Sequence, residues 1–514
     1  MRLILLLLLL PFCFSSNAQV KEKKIRKFAK TIKAEELRDK LSIIASAEME
    51  GRATATEGQR KAAAYIEAQF RSIGLLPGNG DSYQQIYPVY QDSLLSVLLS
   101  ADGKVLEQGV DYMVNLAASW NAEKTFNEIV FAGYGISDSA YDDLEGLDLR
   151  GKMVLIMEGE PKREGKYLVS GTDRPSPRWF NPNVRISNLR QRGAAAILYY
   201  QRVPRGAANN RGGLYNKPNQ NSGLVYMIYP AGLKKLVGDE AAARVHAMAT
   251  NNSIPSKEAW KHEVKASLSK AVKRLQSSNV LGLLPGSDKS DEYVFITAHY
   301  DHLGKRGDSV IYYGADDDGS GTTSVIELAE AFACAAKKGY GSRRNIVFMT
   351  VSGEEMGLWG SEYYSEHPVY PLEKTNVDLN IDMVGRIDPK YQGDSLNYVY
   401  VIGDDKLSSQ LRPVTDSINR KYLGMELDRR FNDITDPNRY YYRSDHYHFA
   451  RKGVPVIFYF NGTHADYHRP TDTVDKIRFD LMEKRVKLVY YTAWEMANAG
   501  AMLKRDIPLN IPPR

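Results

Sequence analysis

The strongest constraint on how this chain folds is a repeated pairing of apolar runs with acids and histidines between residues 293 and 468. Runs 293–298, 346–351, 377–381 and 454–460 have strand length and strand composition. Five polar groups appear in order. They are His299-Tyr300-Asp301-His302, Gly314-Ala315-Asp316-Asp317-Asp318-Gly319-Ser320-Gly321, Ser352-Gly353-Glu354-Glu355, Asn380-Ile381-Asp382-Met383 and Asp466-Tyr467-His468-Arg469-Pro470. Four of the five sit just after, or at the end of, one of the runs. Helical patterns separate the runs, notably 322–336, where Val325, Leu328, Ala329 and Phe332 share a face. Strands alternating with helices predict an α/β fold, with a mainly parallel central sheet flanked by helices on both faces. Ligands collect at the carboxyl ends of such strands, so the acids and histidines are expected to converge on one rim.

Taken singly, each group has a bland reading. Three consecutive aspartates are usually a turn, Glu-Glu is usually a solvated loop, and a histidine after a strand is usually structural. Together, two histidines and several carboxylates with no cysteine suit a borderline cation such as zinc. One acid is left over once two ligand sets are filled, which is what a general base requires.

This order of residues resembles the co-catalytic dizinc exopeptidases, the superfamily of bacterial leucyl aminopeptidases, glutamate carboxypeptidase and the transferrin receptor ectodomain. The resemblance covers nearly the whole mature chain and implies two zinc ions. His299 and Asp382 would hold one ion, Glu355 and His468 the other, and Asp317 would bridge them. It implies Glu354 as general base, Asp301 as the partner orienting His299, and Tyr467 as a stabiliser of the oxyanion. Arg443, Ser444, Asp445 and His446 would line the substrate pocket. It also implies a cis peptide bond at Asp317–Asp318. Peptides are the expected substrates.

The rest of the chain is organised around that rim. At 514 residues the chain is too long for one ordinary domain. A net charge of +6, without a Lys/Arg cluster, gives no sign of nucleic-acid binding. Residues 1–18 read as a signal peptide: Arg2, an apolar stretch at 3–10 too short to span a bilayer, and Ser16-Asn17-Ala18 for cleavage. Export to the periplasm or medium is therefore expected. Phe12 before Cys13 argues against lipidation. Cleavage leaves Cys334 alone, so no internal disulfide can form.

Residues 19–90 and 276–505 are assigned to the catalytic domain, with helices expected at 34–46, 57–73 and 480–502. The loop Met49-Glu50-Gly51-Arg52 resembles one found at this place in the family, and Arg52 is given a structural role there. Residues 91–275 resemble an inserted β-rich protease-associated domain, with 179–221 read as a long polar loop or lid. This insert is expected to fold round its own core beside the rim, its strands outside the catalytic sheet. Residues 506–514 read as a tail, and no later apolar run reaches membrane-spanning length.

Three readings compete. An aminopeptidase is favoured. A carboxypeptidase would need an arginine cluster for the substrate carboxylate, and a glutaminyl cyclase of this fold would work with one zinc. A receptor-like binding protein would have lost ligands.

Overall fold

A computed structural model of the chain describes residues 22–204, 210–217, 223–433 and 435–510. The expected signal peptide, Cys13 and the last four residues of the tail lie outside the described residues. The chain divides into two compact units, one of Met1–Pro88 and Gln276–Arg514, the other of Val89–Leu275.

The first unit is built from α1 (Ala34–Ile44), α2 (Glu57–Ile73), β1 (Val264–Leu284, entering from the other unit), β2 (Lys289–His299), α3 (Gly321–Lys337) and β3 (Arg344–Val351). It continues with α4 (Trp359–Glu366), β4 (Thr375–Ile381), β5 (Tyr398–Ile402), α5 (His446–Arg451), β6 (Val456–Phe460) and α6 (Phe479–Asn498). The strand order is β1-β3-β2-β4-β6-β5, with Glu426–Asp428 at the edge. The four central strands are parallel, while β1 and β5 run against their neighbours.

Each central strand is apolar on both faces, because helices cover both. Val294, Ile296 and Ala298 of β2 pack with Val325, Leu328 and Phe332 of α3 and with Tyr490 and Trp494 of α6. The alternate residue Phe295 packs on the other side with Tyr364 of α4 and Phe449 of α5. Helix α2 shows its start and stop in the sequence: the Thr56 hydroxyl accepts from Gln59 N–H, and Gly74 closes the end with a left-handed φ of 89°.

Arg52 acts as a structural clamp. It is fully buried, and its guanidinium donates to the carbonyls of Tyr300, Ile44, Tyr313 and Gly314 at 2.7–2.9 Å. Burial pulls its pKa down to about 10, and the nearby charges of Asp301 and Asp317 oppose that shift. The cation therefore ties α1 to the loops that carry the rim residues. Arg52→Ala orphans four carbonyls, three of them in buried bonds, so it is expected to cost at least ~3 kcal/mol of unfolding free energy. A shift in the denaturant midpoint at constant slope measures it; a midpoint equal to wild type would contradict the clamp.

The second unit has its own core on both faces of a six-stranded sheet. The order is Glu258–Trp260, Ile129–Phe131, Met153–Met157, Ala196–Tyr200, Leu224–Ile228 and Tyr112–Val114. Two expectations need correcting here. Residues 179–221 are not one long loop: they contain the helix Pro182–Gln191 and the strand Ala196–Tyr200. The helix has a start signal, Asn181 capping Asn183 N–H with Pro182 in the first turn, and it buries Ile186 and Leu189. Nor do the insert's strands stay out of the catalytic sheet. Gln84–Ala101 and β1 each run across a unit boundary, and Arg211–Tyr215 and Ala122–Phe126 pair with their second-unit stretches. Residues 264–281 contain no glycine or proline to end the strand, so β1 continues unbroken.

Candidate metal centre and cleft

Strand register places the first residues of the site. His299 lies opposite Val351, which puts Ser352–Glu355 just beyond it on one side. Thr297 lies opposite Asn380, which brings Asp382 level with His299 on the other. The acids and histidines thus meet at the carboxyl ends of β2, β3 and β4, as the apolar runs predicted.

The three aspartates at 316–318 have different duties. Asp316 accepts Gly385 N–H at 2.7 Å and faces Asn461 and His464. Asp318 accepts the N–H groups of Gly321 and Met383 at 2.8 and 3.0 Å. Asp472 takes the amides of Asp316 and Asp317 at 3.0 and 3.2 Å. The outer two acids therefore tie the loop down, and the middle one is presented with both oxygens forward. The Asp317–Asp318 peptide is cis.

Asp317 Oδ1 lies 3.3 Å from His299 Nε2, which is also 3.6 Å from Asp382 Oδ1. Asp317 Oδ2 lies 3.1 Å from His468 Nε2, and the same nitrogen is 3.1 Å from Glu355 Oε2. One carboxylate thus looks at two separate sets of donors. Several of these atoms are buried with no hydrogen-bond partner, among them Asp317 Oδ2 and Glu355 Oε1. Buried oxygens facing imidazole nitrogens without hydrogen-bond geometry fit a site built for cations. The donor set contains only imidazole and carboxylate, which suits zinc.

Electrostatics separates the neighbouring glutamates. Burial pushes Glu354 well above the usual carboxylate range, the charges of Glu355 and Asp382 add to this, and His299 opposes it. Burial would also raise Glu355, but His302 and His468 outweigh it and hold it below the usual value. Asp317 is held well below its ordinary value in the same way, by His299 and His468 against burial. Burial would lower His468, yet Asp317 and Glu355 raise it to about 10.

The structure brings together His299, Asp317, Glu354, Glu355, Asp382 and His468. Other expected site residues need correction. Asp301 does touch His299, but through its main-chain oxygen at 3.1 Å from Nδ1, with the carboxylate at 3.8 Å. That carboxylate is occupied by the Thr54 hydroxyl and Glu354 N–H. Ser444, Asp445 and His446 do not line the cleft. Ser444 is buried and donates to Asp382 Oδ2 at 2.7 Å, receiving Asn380 Nδ2 at 2.8 Å. Asp445 is buried against the Ser361 hydroxyl, and burial raises its pKa to about 7. His446 stacks on Phe458 in the core, where burial lowers its pKa to about 3. They follow Arg443 into the start of α5, which turns them inward. Two residues not assigned from the sequence belong to the centre. His302, whose Nδ1 is 2.8 Å from Glu355 Oε1, had its signal in the second histidine of His-Tyr-Asp-His. Asp472 had no local signal.

A small cleft lies over the centre, lined by His299, Asp317, Glu354 and Asp382. Met383, Tyr440, Phe458 and Phe460 form an apolar wall, and Arg443, Thr463 and Tyr467 supply polar groups. Arg443 Nη2 donates to Tyr467 Oη at 3.3 Å, and the Tyr467 ring stacks on His468. Burial raises the Tyr467 phenol far above its usual pKa, so it stays a donor.

Residues 279–493 match peptidase family M28. A probable leucine aminopeptidase of Arthroderma otae is 26% identical over 241 residues, covering 46% of this chain and 62% of that protein. Aminopeptidase YwaD of Bacillus subtilis is 27% identical over 234 residues, covering 44% of this chain and 46% of that protein. The matched stretch therefore spans about half the length of these relatives. Among solved structures, an aminopeptidase from Aneurinibacillus sp. strain AM-1 aligns with a TM-score of 0.55 at 21% identity, covering 95% of this chain and 100% of that one. A zinc aminopeptidase from Bacillus subtilis aligns with a TM-score of 0.52 at 20% identity, covering 93% and 99%. These likenesses establish the fold.

Proposed function

We propose, from the match of residues 279–493 to peptidase family M28, that the chain is an exported aminopeptidase that carries two zinc ions and hydrolyses N-terminal peptide bonds. The observation behind this reading is the placement of Asp317, whose two oxygens face different histidines. His299 and Asp382 would hold one ion, Glu355 and His468 the other, and Asp317 both. Zinc bound there supplies a Lewis acid for the peptide carbonyl and brings the pKa of a water towards neutrality.

The chain's own residues do the rest. Glu354 has an elevated proton affinity and no ligand duty, so it accepts a proton from the attacking water and passes it to the leaving amine. Tyr467, held by Arg443, donates to the carbonyl oxygen as charge develops there. Ser444 and Asn380 fix the Asp382 carboxylate. The apolar wall receives the side chain of the first residue. Among the described residues Arg443 is the one guanidinium lining the cleft, which favours an amine-end over a carboxylate-end substrate. Export is inferred from residues 1–18, and a protease-associated identity for residues 91–275 from the runs 130–135, 149–156 and 189–198 and from a separate core. Among the described residues no helix is long and apolar enough to cross a membrane.

A substrate panel tests the proposal. Zinc-loaded protein is expected to cleave leucyl, methionyl and phenylalanyl anilides and to leave their N-acetyl forms intact, with about two zincs per chain by elemental analysis. Cleavage from the carboxyl end, or no cleavage by fully loaded protein, would overturn it.

A further inference from the structure

His302 is fully buried, and neither of its ring nitrogens has a hydrogen-bond partner. Its Nδ1 lies 2.8 Å from Glu355 Oε1 and 3.8 Å from Asp317 Oδ2. Those two oxygens are unpartnered as well. The 2.8 Å approach therefore lacks hydrogen-bond geometry, although a donated N–H is the ordinary reason for an imidazole to sit so near a carboxylate. Three buried atoms that bond to nothing on the protein point at one place.

The backbone holds the imidazole there. His302 N–H donates to Arg52 O at 3.3 Å, and Ala53 and His302 form an isolated bridge. Gly314, at φ 55°, leaves the space the ring needs, since a Cβ there would meet the His302 ring and the Asp317 carbonyl. The ring lies edge-on to His468, 6.0 Å between centroids.

We infer that His302 is a further protein ligand of the cation held by Glu355 and His468, making that half of the centre a closed site of two imidazoles and two carboxylates. The inference rests on the dizinc reading above. Donors of a tetrahedral zinc lie roughly 3.3–3.4 Å apart, given bonds of about 2.0–2.1 Å. The approaches of Nδ1 and of His468 Nε2 to the two carboxylates, from 2.8 to 3.8 Å, bracket that value. The other half has His299, Asp382 and the second oxygen of Asp317, with an Asp318 oxygen beside them; His299, Asp317 and Asp382 line the cleft, where water or substrate can reach. Closed zinc sites hold and open ones react, so the two ions divide these tasks. A ligating imidazole usually donates its other N–H to an orienting group. His302 Nε2 has no such protein partner, and packing beneath Gly314 with the Arg52 bridge orients the ring instead.

Zinc absorption spectroscopy on the wild-type protein counts imidazoles directly. His299, His468 and His302 over two ions give an average of 1.5 per zinc; an average of 1.0 with two ions bound overturns the inference and leaves the dizinc reading intact. A wild-type protein that binds fewer than two zincs fails the dizinc reading itself. Chelator competition on folded variants supplies the second measurement. His302→Ala is expected to weaken one zinc by more than the ~10–100-fold typical of losing an outer partner, with the other ion unchanged. His302→Asn keeps an N–H donor but is a poor ligand, so it is expected to remain weak. Wild-type affinity in His302→Asn would mean that His302 only positions Glu355, and would overturn the proposal.

Discussion

Glu354→Ala is expected to keep both zincs and its fold while losing ~10²–10⁴-fold in turnover, the range for a general base. Glu354 and Glu355 are neighbours in sequence but occupy different electrostatic positions. Glu355 is held in its charged form by His302 and His468 against the pull of burial. Glu354 is pushed the other way, and its nearest imidazole contact is 4.0 Å, from Oε2 to His299 Nε2. Its main-chain N–H is fixed by Asp301 Oδ1 at 3.2 Å, so removing the side chain beyond Cβ leaves the loop anchored. A group that bonds no cation and carries a movable proton should affect rate and not occupancy. Zinc content and hydrolysis of a leucyl anilide, measured on Glu354→Ala and Glu355→Ala together, decide the matter. The opposite pattern, zinc lost from Glu354→Ala and retained in Glu355→Ala, would exchange the two roles. Full activity in Glu354→Ala would remove the proton-transfer step proposed here.

Much of the site was legible because it is written at strand ends. Parallel strands buried on both faces read as unbroken apolar runs, so the point where a run stops is visible, and function collects there. That logic placed His299, Glu354, Glu355 and Asp382 on one rim without a contact in hand. It could not resolve atoms. Nothing in the spelling of Asp301 says that its carbonyl, not its carboxylate, meets His299, because that depends on where Thr54 sits. Nor could it separate Arg443 from Ser444, Asp445 and His446, because whether a side chain faces cleft or core depends on where α5 begins. Asp472 was invisible for a different reason: its task is to hold two backbone amides 155 and 156 residues away in sequence. The helix Pro182–Gln191 carried its own start signal, but the polar composition of the stretch hid it. No strand was read at Val264–Leu284, which runs unbroken through the boundary expected between 275 and 276.

Asp317→Ala is expected to abolish binding of both zincs, a larger loss than removal of any other single ligand. Its two oxygens serve opposite halves of the centre, and no neighbouring acid can replace it. Asp316 is engaged with Gly385 N–H, and Asp318, whose Oδ1 takes two backbone amides, lies beside His299 and Asp382 on one side of the centre only. Wild-type protein stripped with a chelator should gain stability when zinc returns, by ~4 kcal/mol at a thousandfold excess over Kd. Asp317→Ala should show almost none of that gain, and a variant that still holds one zinc with wild-type affinity would sink the bridging role. The same substitution has a signature in the stripped protein. His468 is raised to about 10 against the effect of burial, and Asp317 is the leading cause of the rise. A pKa raised on folding contributes stability that is complete below the ordinary value of ~6.5 and is lost as pH climbs through the folded value. Stripped wild-type protein should therefore weaken between pH ~6.5 and about 10. Stripped Asp317→Ala should weaken less across that window, because its imidazolium has lost a counter-charge. Thermal melts at several pH values, run beside the zinc titrations, measure both effects. Equal pH slopes in the two stripped proteins would show that the His468 proton does not depend on Asp317.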